Sequence, residues 1–68
     1  MNLNQLYYFE KLAKLQHYTK AAEELFISQP SLSYAINQLE TELDVTLFVK
    51  KGRNVILTDE GKQFYINI

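Results

Sequence analysis

Between Phe26 and Leu39 the chain carries no charged side chain, although Lys, Arg, Asp and Glu make up 22% of the sequence. The same stretch holds a complete set of helix signals. Ser28 is a hydroxyl cap, and Pro30 falls in the first turn, where its missing N–H costs nothing. Leu32, Ile36, Leu39 and Leu43 then recur at steps of four, three and four, so a helix is predicted from about residue 29 to 43 with one buried stripe. At about 100° per residue, Pro30, Tyr34, Asn37 and Thr41 fall opposite that stripe, with Ser33 and Gln38 on its flanks. A solvent face ordinarily carries Lys and Glu. One that offers hydroxyls, amides and a phenol without acids suits a polyanion and base edges.

What precedes this helix narrows the fold further. Thr19 reads as the N-cap of a short helix over about residues 20–26, with Glu23 and Glu24 in its early turns and Ala21, Ala22, Leu25 and Phe26 facing inward. Two helices joined by a few residues, the second opened by Ser28 and Pro30, form a helix-turn-helix unit. Upstream, Leu6, Phe9, Leu12 and Ala13 mark a first helix over about residues 3–15, capped by Asn2 with Gln5 at the capping-box offset and ended by "QHY".

Downstream, "LFVK" and "NVILT" are short β-branched and aromatic runs around "KGR". Gly52 can supply a positive φ there and Asn54 tolerates one, which predicts a small hairpin with Lys50, Lys51 and Arg53 at its tip. The span from Val45 to Thr58 holds those three cations and no acid. Thr58 caps a last helix, with Asp59 and Glu60 in its first turn and Phe64, Tyr65 and Ile68 as apolar positions. That helix reaches Ile68 without a stop signal, as expected of part of a longer chain or of a helix completed by a partner. The expected fold class is mainly α: three helices, a two-stranded hairpin and the start of a further helix.

Sixty-eight residues with 47% hydrophobic content support one small core. The absence of cysteine excludes disulfides, thiolate zinc sites and thiol nucleophiles, and His17 alone cannot build a metal cluster. No cofactor or metal is expected. "MNLNQLYYFEKL" lacks the pattern of a secretory leader and no apolar run is long enough to span a bilayer, so a cytoplasmic protein without membrane association is expected. The net charge of −1 argues against a polycation that coats nucleic acid indiscriminately.

Taken in order, "QL" and Phe9 in the first helix, "TKAAEELFISQPSLS", "INQLETEL", then "LF", Arg53 and "LT" resemble the N-terminal DNA-binding domain of the LysR-type transcriptional regulators over nearly the whole chain. The resemblance implies a winged helix-turn-helix over residues 1–58, with helix 29–43 in the major groove and the wing tip, residues 50–54, at the minor groove or phosphates. Residues 59–68 would begin a linker helix that pairs subunits and leads to a ligand-sensing domain outside this sequence. Carried over by position, Gln29, Pro30, Ser33, Tyr34 and Arg53 would approach bases. Thr19, Lys20, Ser31, Gln38 and Lys50 would contact phosphates. The implied partners are double-stranded DNA at an inverted repeat and a second copy in a homodimer, with a tetramer for the full-length parent and a small-molecule effector only through the missing domain.

Three positions depart from the family pattern. Tyr34 replaces a frequent Arg and loses a bidentate donor. Asp44 stands where Gly usually ends the third helix, and Lys50 replaces a frequent Arg while keeping its charge.

Two other classes compete with DNA recognition. A protein-interaction module would use the Tyr7, Tyr8, Phe9 and Phe64, Tyr65 surfaces for self-association. An enzyme is not expected: Glu40 and Asp44 are spaced i,i+4 without a neighbouring His, and Ser28, Ser31 and Ser33 have no base positioned by sequence.

Overall fold

A computed structural model describes residues 1–68. In chain order the elements are α1 (Leu3–Leu15), α2 (Tyr18–Leu25), α3 (Gln29–Leu43), β1 (Phe48–Lys51), β2 (Asn54–Leu57) and α4 (Asp59–Asn67). The strands form an antiparallel hairpin in which Phe48 pairs with Leu57 and Lys51 with Asn54. Between them Gly52 has φ +65°, a two-residue turn with the left-handed residue first, the position that glycine fills without strain. Asn54 does not share that conformation.

Most of the helix starts follow the local chemistry. In α1 the Asn2 side chain accepts from the Gln5 amide at 2.8 Å and the Gln5 side chain accepts from the Asn2 amide at 3.1 Å, a closed capping box. Ser28 accepts from the Ser31 amide, and Thr58 from the Gly61 amide at 2.9 Å. The exception is α2, where His17, not Thr19, is the cap: its Nδ1 accepts from the Lys20 amide at 3.3 Å. An imidazole nitrogen does the work of a hydroxyl, so the helix starts at Tyr18 and the Thr19 hydroxyl stays free for a tertiary contact. Glu23 and Glu24 then lie beyond the first turn, and Glu24 instead pairs with Lys11 of α1 at 3.3 Å.

The core is built from one side of the first three helices and of the hairpin: Phe9, Leu12 and Ala13 of α1, Ala21 and Ala22 of α2, Leu32, Ile36 and Leu39 of α3, then Leu47, Phe48 and Val55, with Phe64 and Tyr65 of α4 packed against it. The small alanines let α2 sit close to its neighbours, and the Phe9 ring meets Phe48 and Phe64 at centroid distances of 5.3 and 5.0 Å. The segment between α3 and β1 is fixed by one side chain of α3 and by a backbone bond from the end of the hairpin. Glu40 Oε2 accepts from the amides of Leu47 at 2.7 Å and Phe48 at 3.2 Å, and the Thr58 amide donates to the Leu47 carbonyl at 2.9 Å.

Two apolar positions expected to face inward do not. Phe26 is 95% exposed and Ile68 is 51% exposed. For Phe26 the reason is that α2 ends one residue earlier and Phe26 turns left-handed (φ +58°), which breaks the helical phase and swings the ring outward. Ile68 is the C-cap of α4 and stands past the turn that packs Phe64 and Tyr65 on the core. A bulky residue in the left-handed region is strained by about 1–2 kcal/mol, and nothing in the structure gives the Phe26 ring a partner. Phe26→Asn is therefore expected to stabilise the chain by about 1 kcal/mol, read as a rise of roughly 4–8 °C in Tm.

Candidate nucleic-acid interface

The turn from Phe26 to Ser28 aims the start of α3 away from the core. Gln29, Pro30, Tyr34, Asn37, Gln38 and Thr41 are all exposed along its outer side, Tyr34 by 67%, and none is acidic. This is the face that the apolar stripe leaves free, because Leu32, Ile36 and Leu39 occupy the inner side.

Three elements meet beside the first turn of α3. An open cleft of about 370 Å3 lies between the start of α2, the start of α3 and the hairpin, with His17, Thr19, Gln29, Lys50, Arg53 and Asn54 among its lining residues. Thr19 Oγ1 donates to Gln29 Oε1 at 3.3 Å, which ties the two helix starts and leaves the Gln29 amide nitrogen free to donate. The cleft therefore brings together Gln29 and Arg53 with Thr19 and Lys50. Neither cation is engaged in an ion pair.

The other residues named from the sequence are distributed around it. Lys20 is exposed on α2, and Pro30, Tyr34 and Gln38 lie along α3 outside the cleft. Ser31 is exposed, with its hydroxyl accepting from Ser28 Oγ at 2.8 Å. Ser33 is half-buried and turned towards Tyr18. Burial lifts the Tyr18 phenol above its ordinary pKa, the Glu40 charge adds to the lift, and a hydrogen bond with the Ser33 hydroxyl opposes it. His17, which the sequence places only in the break after the first helix, lines the cleft and caps α2. A His four residues before a buried Ala-Ala pair is the signal that would have found it.

The aromatics that a self-association surface would use are mostly spent inside. Phe9 is fully buried, and Phe64 and Tyr65 stand edge-on to it at 5.0 and 6.2 Å. Tyr7 alone of that set is largely exposed. No helix is long and apolar enough to cross a membrane.

Residues 3–62 match the family model described as bacterial regulatory helix-turn-helix protein, lysR family. The chain is 43% identical over 65 residues to the RuBisCO operon transcriptional regulator of Allochromatium vinosum, a match over 96% of this chain and 22% of that protein. It is 48% identical over 63 residues to the HTH-type transcriptional regulator DsdC of Escherichia coli, over 93% of this chain and 20% of that protein. The chain thus spans about a fifth of the length of these relatives. Among solved structures it is similar to the BenM DNA-binding domain in complex with benA site 1 DNA, with a TM-score of 0.93 and 43% identity over 98% of this chain and 78% of that one. It is also similar to the CbnR DNA-binding domain in complex with DNA, with a TM-score of 0.94 and 33% identity over 98% and 77%. The chain belongs to the lysR family of bacterial regulatory helix-turn-helix proteins, and its fold is that of the family's DNA-binding domain.

Proposed function

We propose that this chain is the sequence-reading module of a bacterial transcriptional regulator, binding duplex DNA with α3 in the major groove and the hairpin tip, residues 50–54, over the adjoining minor groove or phosphates. The observation that carries the reading is the apposition of Gln29 and Arg53 across one cleft, at the end of an outer helix face that has no acid. Gln29, Pro30, Ser33 and Tyr34 read bases with Arg53, and Thr19, Lys20, Ser31, Gln38 and Lys50 hold phosphates. Ser33 reads from a half-buried position near Tyr18, so it contributes less than its exposed neighbours. Residues 1–58 form the reading unit and residues 59–68 begin the linker through which two copies meet inverted half-sites. In the full-length parent, which acts in the cytoplasm, a tetramer and a small-molecule effector domain complete the regulator. No catalytic step is assigned to the chain.

Selection of bound duplexes from a random pool tests this directly. A recovered inverted repeat, bound more weakly as salt rises, is the expected result; failure of any duplex to be enriched would reject it. On the selected site, Gln29→Ala is expected to relax preference at one base pair and cost about 1–3 kcal/mol there, because an amide that bonds adenine at two points leaves nothing equivalent behind. Lys50→Ala, which removes a phosphate contact, is expected to weaken all sequences more evenly and to reduce the salt slope by about one. Fluorescence anisotropy titrations at several salt concentrations separate the two.

A further inference from the structure

Resting on this reading, we infer that Glu40 is a positioning residue for DNA recognition: it locks the hairpin to α3, so that major-groove and flanking contacts are made by one rigid piece. Glu40 stands three turns beyond Gln29, roughly 16 Å along the axis, on the half-buried flank of the helix. It makes no ion pair, and its Oε2 is spent on two main-chain donors, the amides of Leu47 and Phe48. Those residues are buried and sit where the chain enters β1, just before the tip cations. No backbone carbonyl accepts from either amide at the place where Glu40 reaches, so the carboxylate substitutes for a missing ladder partner.

The opposite strand has its own anchor. The Val55 amide donates to the carbonyl of Gln16 at 3.0 Å, in the junction between α1 and α2. Val55 is paired with Lys50 across the hairpin. The ribbon is thus gripped at two levels, at its base by α3 through Glu40 and, one pair from the turn, by the α1–α2 junction through Gln16. Gln16 grips with its backbone, which any residue supplies. Glu40 grips with a side chain, so the register of the wing against the recognition helix depends on this residue's identity. Without it the tip samples many positions, and binding is weakened by the fraction of time the correct one is populated.

The test joins amide hydrogen exchange to DNA titration. In the free protein, Glu40→Ala is expected to speed exchange at Leu47, Phe48 and the hairpin while the amides of α1 and the first turns of α3 keep their protection. On the duplex selected from the random pool, the same variant is expected to bind about tenfold more weakly. It should also lose most of its preference for that duplex over one whose flanking pairs are replaced by G·C, yet keep the base choice under Gln29. Glu40→Gln retains an acceptor oxygen and should recover most of the loss. In an Arg53→Ala background, Glu40→Ala should change affinity by less than about twofold, since two groups acting through one element are not additive. An undiminished effect in that background, equal weakening on both duplexes, or unaltered exchange at Leu47 and Phe48 would each overturn the inference. Should Glu40→Ala fail to fold, Glu40→Asp, too short to reach both amides, and Glu40→Gln carry the same comparisons. If the parent chain itself binds no duplex, the functional reading falls and this inference with it; if the parent binds and the variants match it, only this inference falls.

Discussion

Phe9→Ala is expected to leave the chain largely unfolded at 37 °C. The Phe9 ring has no solvent exposure and meets three rings from two other elements: Phe48 at the start of β1, and Phe64 and Tyr65 of α4, at centroid distances of 5.3, 5.0 and 6.2 Å. Removing a buried phenyl group costs about 3–5 kcal/mol, and edge-to-face pairs add to its burial. A core of this size supplies only about 3–5 kcal/mol in total, so the loss consumes nearly all of it. Far-ultraviolet circular dichroism through a thermal scan should show no cooperative transition above room temperature. Tyr7→Ala, two residues away but 54% exposed, serves as the contrast and should shift stability by no more than about 0.5 kcal/mol. A Phe9→Ala chain with a Tm within a few degrees of the parent would show that the rings around it are not cooperative.

Gly61→Ala is expected to cost about 3 kcal/mol, far more than an alanine in a helix ordinarily would. A Cβ at Gly61 would lie 2.2 Å from the Leu47 carbonyl oxygen and 3.0 Å from a Leu57 methyl. The oxygen cannot move aside, because it accepts from the Thr58 amide and its residue is held in turn by Glu40. The first turn of α4 must therefore lift off, taking Phe64 and Tyr65 from Phe9. Urea unfolding should show a lower midpoint, and amide exchange should quicken first in α4. Gly52→Ala provides the opposite case: nothing lies within 4 Å of the added carbon, and only the left-handed φ of +65° resists it, at about 1 kcal/mol. Equal costs at the two glycines would show that α4 is free to shift on the hairpin.

The parts of this architecture that were legible in the sequence are those written in local chemistry. Asn2 with Gln5, Ser28 with Pro30, and Thr58 each set a helix start within three residues, and the α3 stripe follows from its period. The acid-free face of α3 followed from the same wheel. His17 was misread because hydroxyls and amides are the usual caps, and Thr19 stood close enough to take the role by default. Phe26 was misread because periodicity was carried one residue past the point where the backbone turns left-handed. Nothing beyond the spacing of Glu40 from Asp44 was legible for Glu40, since its amide partners lie seven and eight residues further on, after a chain reversal that no helical period describes. The meeting of Arg53 with Gln29 is likewise tertiary: the sequence placed each on its own element, and the tertiary bonds from Glu40 and Gln16 to the hairpin bring them to one cleft.

Each of the first three helices ends on a non-glycine residue in the left-handed conformation: Gln16 at φ 55°, Phe26 at φ 58° and Asp44 at φ 57°. No hydrogen bond links the three residues to one another, so relief at each should sum with relief at the others. The molecule therefore carries an untapped reserve against mutational damage. A version with Asn or Gly at all three places would have enough margin to tolerate core changes that the present chain cannot survive, and could serve as the background in which recognition residues are varied without losing the fold.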